Sequence, residues 1–141
     1  MIKNIKSGST EYKEILDLRN KVLRIPLGMD IKNDDLTGED LCQHLGFYNE
    51  EEMIGCLQIK IIDADVFQIR QMAVLPDHQR RGVGSALLFE AERIIKEHGG
   101  NTVLIESRNY AIPFYEHNGY IAYGEYFNKI NIPHKLMKKN I

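Results

Sequence analysis

Gln79-Arg80-Arg81-Gly82-Val83-Gly84-Ser85-Ala86-Leu87 decides the reading of this chain, because it joins the end of an apolar strand to the start of an amphipathic helix. The first turn of a helix leaves amide N–H groups without partners and carries the positive end of the macrodipole. A pyrophosphate satisfies both. Gly82 and Gly84 carry no Cβ, so the main chain can turn tightly there and approach an anionic ligand closely. Two common phosphate loops fail on these residues. No Gly-Lys-Ser/Thr follows Gly82 at Walker spacing, and the third glycine of the dinucleotide fingerprint would fall on Leu87.

Upstream, Gln43 to Tyr48, Met53 to Ile62 and Val66 to Val74 read as three successive strands, joined at Asn49-Glu50-Glu51 and Asp63-Ala64-Asp65. Links this short imply antiparallel neighbours. Ile2 to Ile5 is a first strand, and Ser9-Thr10 offers an N-cap to a helix that aligns Tyr12, Ile15, Leu18 and Val22 until Pro26 and Gly28 stop it. The stretch from Gly28 to Asp40, holding Asp30, Asp34, Asp35, Glu39 and Asp40, is acidic and aperiodic and reads as a loop over the site. Downstream, Val83, Leu87, Ala91, Ile94 and Ile95 recur at helical spacing up to Gly99-Gly100. The crossover through that helix predicts that the apolar run Thr102 to Ile105 lies parallel to the strand before it. Asn109 to Asn118 forms a second crossover helix closed by Gly119, and Tyr120 to Phe127 and His134 to Met137 are the last two strands.

The Gln/Arg-x-x-Gly-x-Gly pattern, following a strand that ends Met72-Ala73-Val74-Leu75-Pro76, resembles the acetyl-CoA signature of the GNAT acetyltransferase superfamily. Asn109-Tyr110-Ala111-Ile112-Pro113-Phe114-Tyr115-Glu116-His117-Asn118-Gly119-Tyr120 is similar to a later helix of the same family. Leu18 to Arg24, Asp34-Asp35-Leu36 and His44-Leu45-Gly46 resemble a small-molecule subgroup of the ElaA type. The implied fold is α/β, a mixed and mostly antiparallel sheet of about six to seven strands flanked by about four helices. Its fourth and fifth strands run parallel and splay apart to admit a thioester arm.

Composition narrows the partners. The 141 residues suit a single domain, and a net charge of −2 from 18 basic and 20 acidic residues does not favour nucleic acid or anionic membrane. Cys42 and Cys56 lack metal or redox spacing, which predicts free thiols. Met1 to Lys6 forms no signal core and no apolar run is long enough for a bilayer, so a cytoplasmic protein is expected. The five histidines fall at no ligand spacing, and no metal is expected.

Acetyl transfer to an amine needs an uncharged nucleophile, a donor for the carbonyl oxygen and a proton for the leaving thiolate. The resemblance places the main chain of Met72, Ala73 and Val74 along the pantetheine arm, and Gln79, Arg80, Arg81, Gly82, Val83, Gly84 and Ser85 around the pyrophosphate. Asn109 either bonds the pantetheine arm or caps its helix, while Phe114 either adjoins the cofactor or packs between helix and sheet. Tyr115 is the implied acid, because a phenol can protonate the thiolate. An alkylammonium has a pKa of about 10, so a base is needed, and Glu106 at the end of the fifth strand is the candidate. Arg19, Arg24 and Arg70 are candidates to bind an anionic part of the acceptor, a small-molecule amine or peptide, and His44 is a candidate to face its pocket. The expected reaction is direct attack on acetyl-CoA through a tetrahedral intermediate. The alternative is a non-catalytic acyl-CoA sensor, and the C-terminal strands leave room for a homodimer.

Overall fold

β3 (Glu52–Ile61) is buried along nearly its whole length, as expected of a strand covered on both faces. It lies inside a seven-stranded sheet of order β1-β2-β3-β4-β5-β7-β6, with β1 at Ile2–Ile5, β2 at Gln43–Asn49, β4 at Val66–Val74 and β5 at Thr102–Arg108. β6 (Ile121–Lys129) and β7 (Ile132–Asn140) complete it. The computed structural model describes residues 1–141.

Helix α1 (Thr10–Arg19) starts where Ser9 Oγ accepts the Tyr12 N–H at 3.2 Å. Its apolar stripe of Tyr12, Ile15 and Leu18 packs with Met53, Cys56 and Ala73 on one face of the sheet. The chain then continues as a π turn, Asn20–Arg24, and a 3-10 turn, Ile25–Leu27, ending at the left-handed Gly28. α2 (Val83–Glu97) buries the anticipated Val83, Leu87, Ala91, Ile94 and Ile95, with Leu88 added, against Leu57, Ile59, Ile69 and Val103 on the opposite face. α3 (Ile112–His117), preceded by a 3-10 turn at Asn109–Ala111, is shorter than the Asn109 to Asn118 helix expected. The three α-helices and the turns extending them flank a sheet that is mixed and mostly antiparallel, as anticipated.

β4 and β5 pair in parallel, but only through Val66↔Thr102, Phe67↔Val103 and Gln68↔Leu104. Past Gln68 the two strands no longer meet. On its other side β4 carries a bulge, since Cys56↔Ala73 and Gln58↔Arg70 leave Leu57 facing both Gln71 and Met72. Gln71 has φ +53°, and such an insertion bends the strand. β5 instead finds its partner in β7 along its whole length, from Thr102↔Asn140 to Arg108↔His134. The β6–β7 hairpin turns on Ile130 and Asn131, both at positive φ as a two-residue primed turn requires.

Candidate active site

The divergence of β4 and β5 opens a cleft of about 870 Å³, walled by Gln68 to Val74 of β4, Ile105, Glu106 and Arg108 of β5, the start of α2, α3 and the β6–β7 turn. On the cleft side the main chain of Ile69 to Val74 has lost its strand partner. Apart from Val74 O, which accepts from Gln79 Nε2 at 2.9 Å, the amides and carbonyls there have no strand partner and can pair with an extended ligand.

At one end lies the start of α2. The first amide that pairs inward is that of Ala86, bonded to Gly82 O at 2.9 Å. The amides from Arg80 to Ser85 therefore stand ahead of the helical ladder and meet no internal acceptor. Gly82 is left-handed at φ +83°, with open space where a Cβ would be. Gly84 matters for a different reason: a Cβ there would sit 2.9 Å from the Phe114 ring. Phe114 is thus the floor on which the helix start rests, and it also lines the cleft. Gln79, Arg80, Gly82, Gly84 and Ser85 line the cleft as well. Val83 and Arg81 do not, because the Val83 side chain is buried in the core and Arg81 is exposed outside the cleft.

Tyr115 is buried on the cleft wall between Phe114 and Tyr120, with ring centroids 5.1 and 6.0 Å away. Burial pushes its phenol up to about 12, so it stays protonated at neutral pH, although the nearby Arg108 charge pulls the other way. Its hydroxyl meets only the Met72 thioether, at 3.9 Å, a weak acceptor that leaves the proton available. Glu106 is the one carboxylate on the wall, and Lys129 Nζ donates to it at 2.8 Å. His134 reaches the same wall, its Nδ1–H donating to Ile132 O at 2.8 Å and Nε2 left as an acceptor.

Arg70 and Arg24 line the cleft, Arg24 already paired with Asp34 at 2.9 Å. Arg108 was missed, since nothing local distinguishes it from a strand-end cation. Arg19 and His44 are corrections. Arg19 is only 1% exposed and donates to both oxygens of Glu39, at 2.8 and 2.9 Å, while Tyr12 Oη donates to the same carboxylate at 2.6 Å. His44 is fully buried, edge-on to Tyr12, with Nε2–H donating to Glu39 O at 2.9 Å. Arg19 fastens the acidic segment to α1 and His44 fastens it to β2, and neither reaches the cleft. That segment is therefore no lid: Asp34 and Glu39 are used as counter-ions to α1 and its continuation. Asn109 also lies off the cleft, beside Tyr126 and Phe127, and it caps nothing, because the N-cap of α3 is Ala111.

This buried cluster fixes an acid response. Burial holds His44 below its usual range, and its Nδ1 has no partner to receive a proton's bond. The unfolded chain therefore binds that proton more tightly, and stability is full above about pH 6.5 and falls as pH drops below it. Glu39 adds to the loss at lower pH: burial pushes its carboxyl up, but the bonds from Arg19 and Tyr12 outweigh this and hold it below the ordinary value of 4.5. Stability should decline by up to about 1.4 kcal/mol per pH unit from the His44 proton. Melting curves at about pH 7.5 and about pH 5 check this, and His44→Gln should flatten the upper part of the decline.

The profile of the acetyltransferase (GNAT) family matches residues 11–120. A provisionally named acetyltransferase of Bacillus subtilis strain 168 is 30% identical over 106 residues, covering 75% of this chain and 70% of the relative. The crystal structure of Escherichia coli ElaA superposes with a TM-score of 0.84 at 19% identity, covering 99% of both chains. A GNAT family acetyltransferase from Elizabethkingia anophelis, solved with acetyl-CoA bound, superposes with a TM-score of 0.74 at 18% identity, covering 100% of this chain and 97% of the other.

Proposed function

This chain belongs to the GNAT family of acetyltransferases, and from that premise we propose that it transfers an acetyl group from acetyl-CoA to the primary amine of a small molecule or peptide. The observation that carries the reading is the joining, in one cleft, of an unpaired run of helix-start amides to the unpaired edge of β4. The amides from Arg81 to Ser85 offer the dipole end and donors that a pyrophosphate requires. The main chain of Met72 to Val74 takes an extended amide-bearing arm in place of β5, and an amide near Met72 or Ala73 faces the acetyl carbonyl as its oxygen gains charge. Tyr115 hands its proton to the departing sulfur. Glu106, with His134 Nε2 on the same wall, receives the proton of the attacking ammonium. Neither cysteine takes part: Cys56 is buried, and burial pushes its thiol up to about 12.

The strand β6 forms one free edge of the sheet, which supports pairing with a second copy. No helix is long and apolar enough to cross a membrane.

Calorimetric titration with acetyl-CoA tests the reading. The wild-type protein should bind, and Gly82→Val should bind at least about tenfold more weakly. A branched residue at φ +83° costs about 1–2 kcal/mol in the left-handed region, and relieving that strain turns the amides away from the anion. Equal affinity with an unchanged melting curve would remove this elbow from the site. Binding without thiol release, across a broad amine panel, would favour the sensor instead.

A further inference from the structure

The acceptor end of the cleft has an unusual charge balance. Arg24 and Lys129 are each neutralised, by Asp34 at 2.9 Å and by Glu106 at 2.8 Å. Glu106 is the only carboxylate on the wall, and Lys129 balances its charge. Arg70 on β4 and Arg108 on β5 line the same cleft, and neither belongs to any ion pair of the chain. Arg108 donates to Leu23 O at 3.1 Å and to Tyr110 Oη at 2.6 Å. Those neutral acceptors orient its guanidinium but cancel none of its charge. Arg70 makes no side-chain hydrogen bond and is half-buried. The pyrophosphate end cannot compensate, because it lies at the start of α2 with Arg80 beside it. A concave wall holding uncompensated cations repels a polyamine and concentrates anions, and guanidinium matches a carboxylate or phosphate with paired N–H donors.

We propose that the acceptor is a primary amine that also carries an anionic oxygen group, carboxylate or phosphate, and that Arg70 and Arg108 hold this group while the amine faces the β4–β5 gap. The proposal rests on the acetyltransferase reading and narrows its substrate class.

Matched amines test it on protein saturated with coenzyme A, read by calorimetry: phenylalanine against phenethylamine, glucosamine 6-phosphate against glucosamine, and spermidine as the polycation. The oxyanion-bearing member of at least one pair should bind about tenfold or more tightly than its neutral counterpart, in line with a charge-assisted hydrogen bond. The pair that responds identifies carboxylate or phosphate as the group. Arg70→Gln and Arg108→Gln should each shrink that advantage at least about fivefold. Arg70→Gln is the safer variant, because Arg108 also ties β5 to Leu23. Equal binding within both pairs, preference for spermidine, no binding by either charged amine, or an advantage that survives both variants would each overturn the proposal. Acetyl-CoA binding is measured separately. Should it be absent, the acetyltransferase reading fails, and the same titrations on the free protein still decide the charge preference.

Discussion

Tyr115→Phe is expected to lower kcat by about 10²- to 10³-fold while changing the affinity for acetyl-CoA by less than about threefold. The substitution removes one oxygen and nothing else. The ring keeps its edge contacts with Phe114 and Tyr120, so the wall of the cleft stays in place. The lost oxygen bonds only the Met72 thioether, at 3.9 Å, so the fold gives up little with it. Burial pushes the phenol up to about 12, which makes it a proton donor throughout the neutral range and excludes it as a base there. Steady-state kinetics with thiol detection, paired with calorimetry, separate the two quantities. A kcat within about threefold of wild type would take Tyr115 out of the acid role.

Arg19→Met should destabilise the fold by about 3–5 kcal/mol, because it strands a carboxylate in the interior. Glu39 is itself only 7% exposed, and with the guanidinium gone its remaining side-chain donor is Tyr12 Oη. Taking a charge out of water is repaid here only by the two bonds from Arg19 and the one from Tyr12. In a chain this size the melting temperature should fall by about 10 °C or more. Removing the second charge as well, in Arg19→Met with Glu39→Leu, should recover much of the loss. If the double variant were no more stable than the single one, the cost would lie in packing at the end of α1 and not in the unpaired charge.

The parts of this molecule legible in the sequence are those governed by neighbours along the chain. Ser9 caps α1, the stripe from Val83 to Ile95 faces the sheet, and Gly82 permits a left-handed elbow. The parallel pairing of β4 with β5 also follows, since a crossover helix joins them. The bulge at Gln71 gave no signal, because a glutamine at φ +53° is held by strand pairing and not by its own preference. Arg19 and His44 misled for a related reason. Their types suit a binding site equally well, and only the docking of Glu39, 20 residues from Arg19 and 5 from His44, between α1 and β2 commits them to the interior.

By itself the sequence determined where most helices and strands lie, which faces are apolar, and that a glycine-bearing turn precedes α2. Tertiary structure alone decided where β4 and β5 part, that β7 sits between β5 and β6, and which arginines keep an unspent charge. The reason is physical: backbone preference and apolar periodicity act over a few residues, whereas burial and charge pairing depend on groups that meet only when the chain has folded.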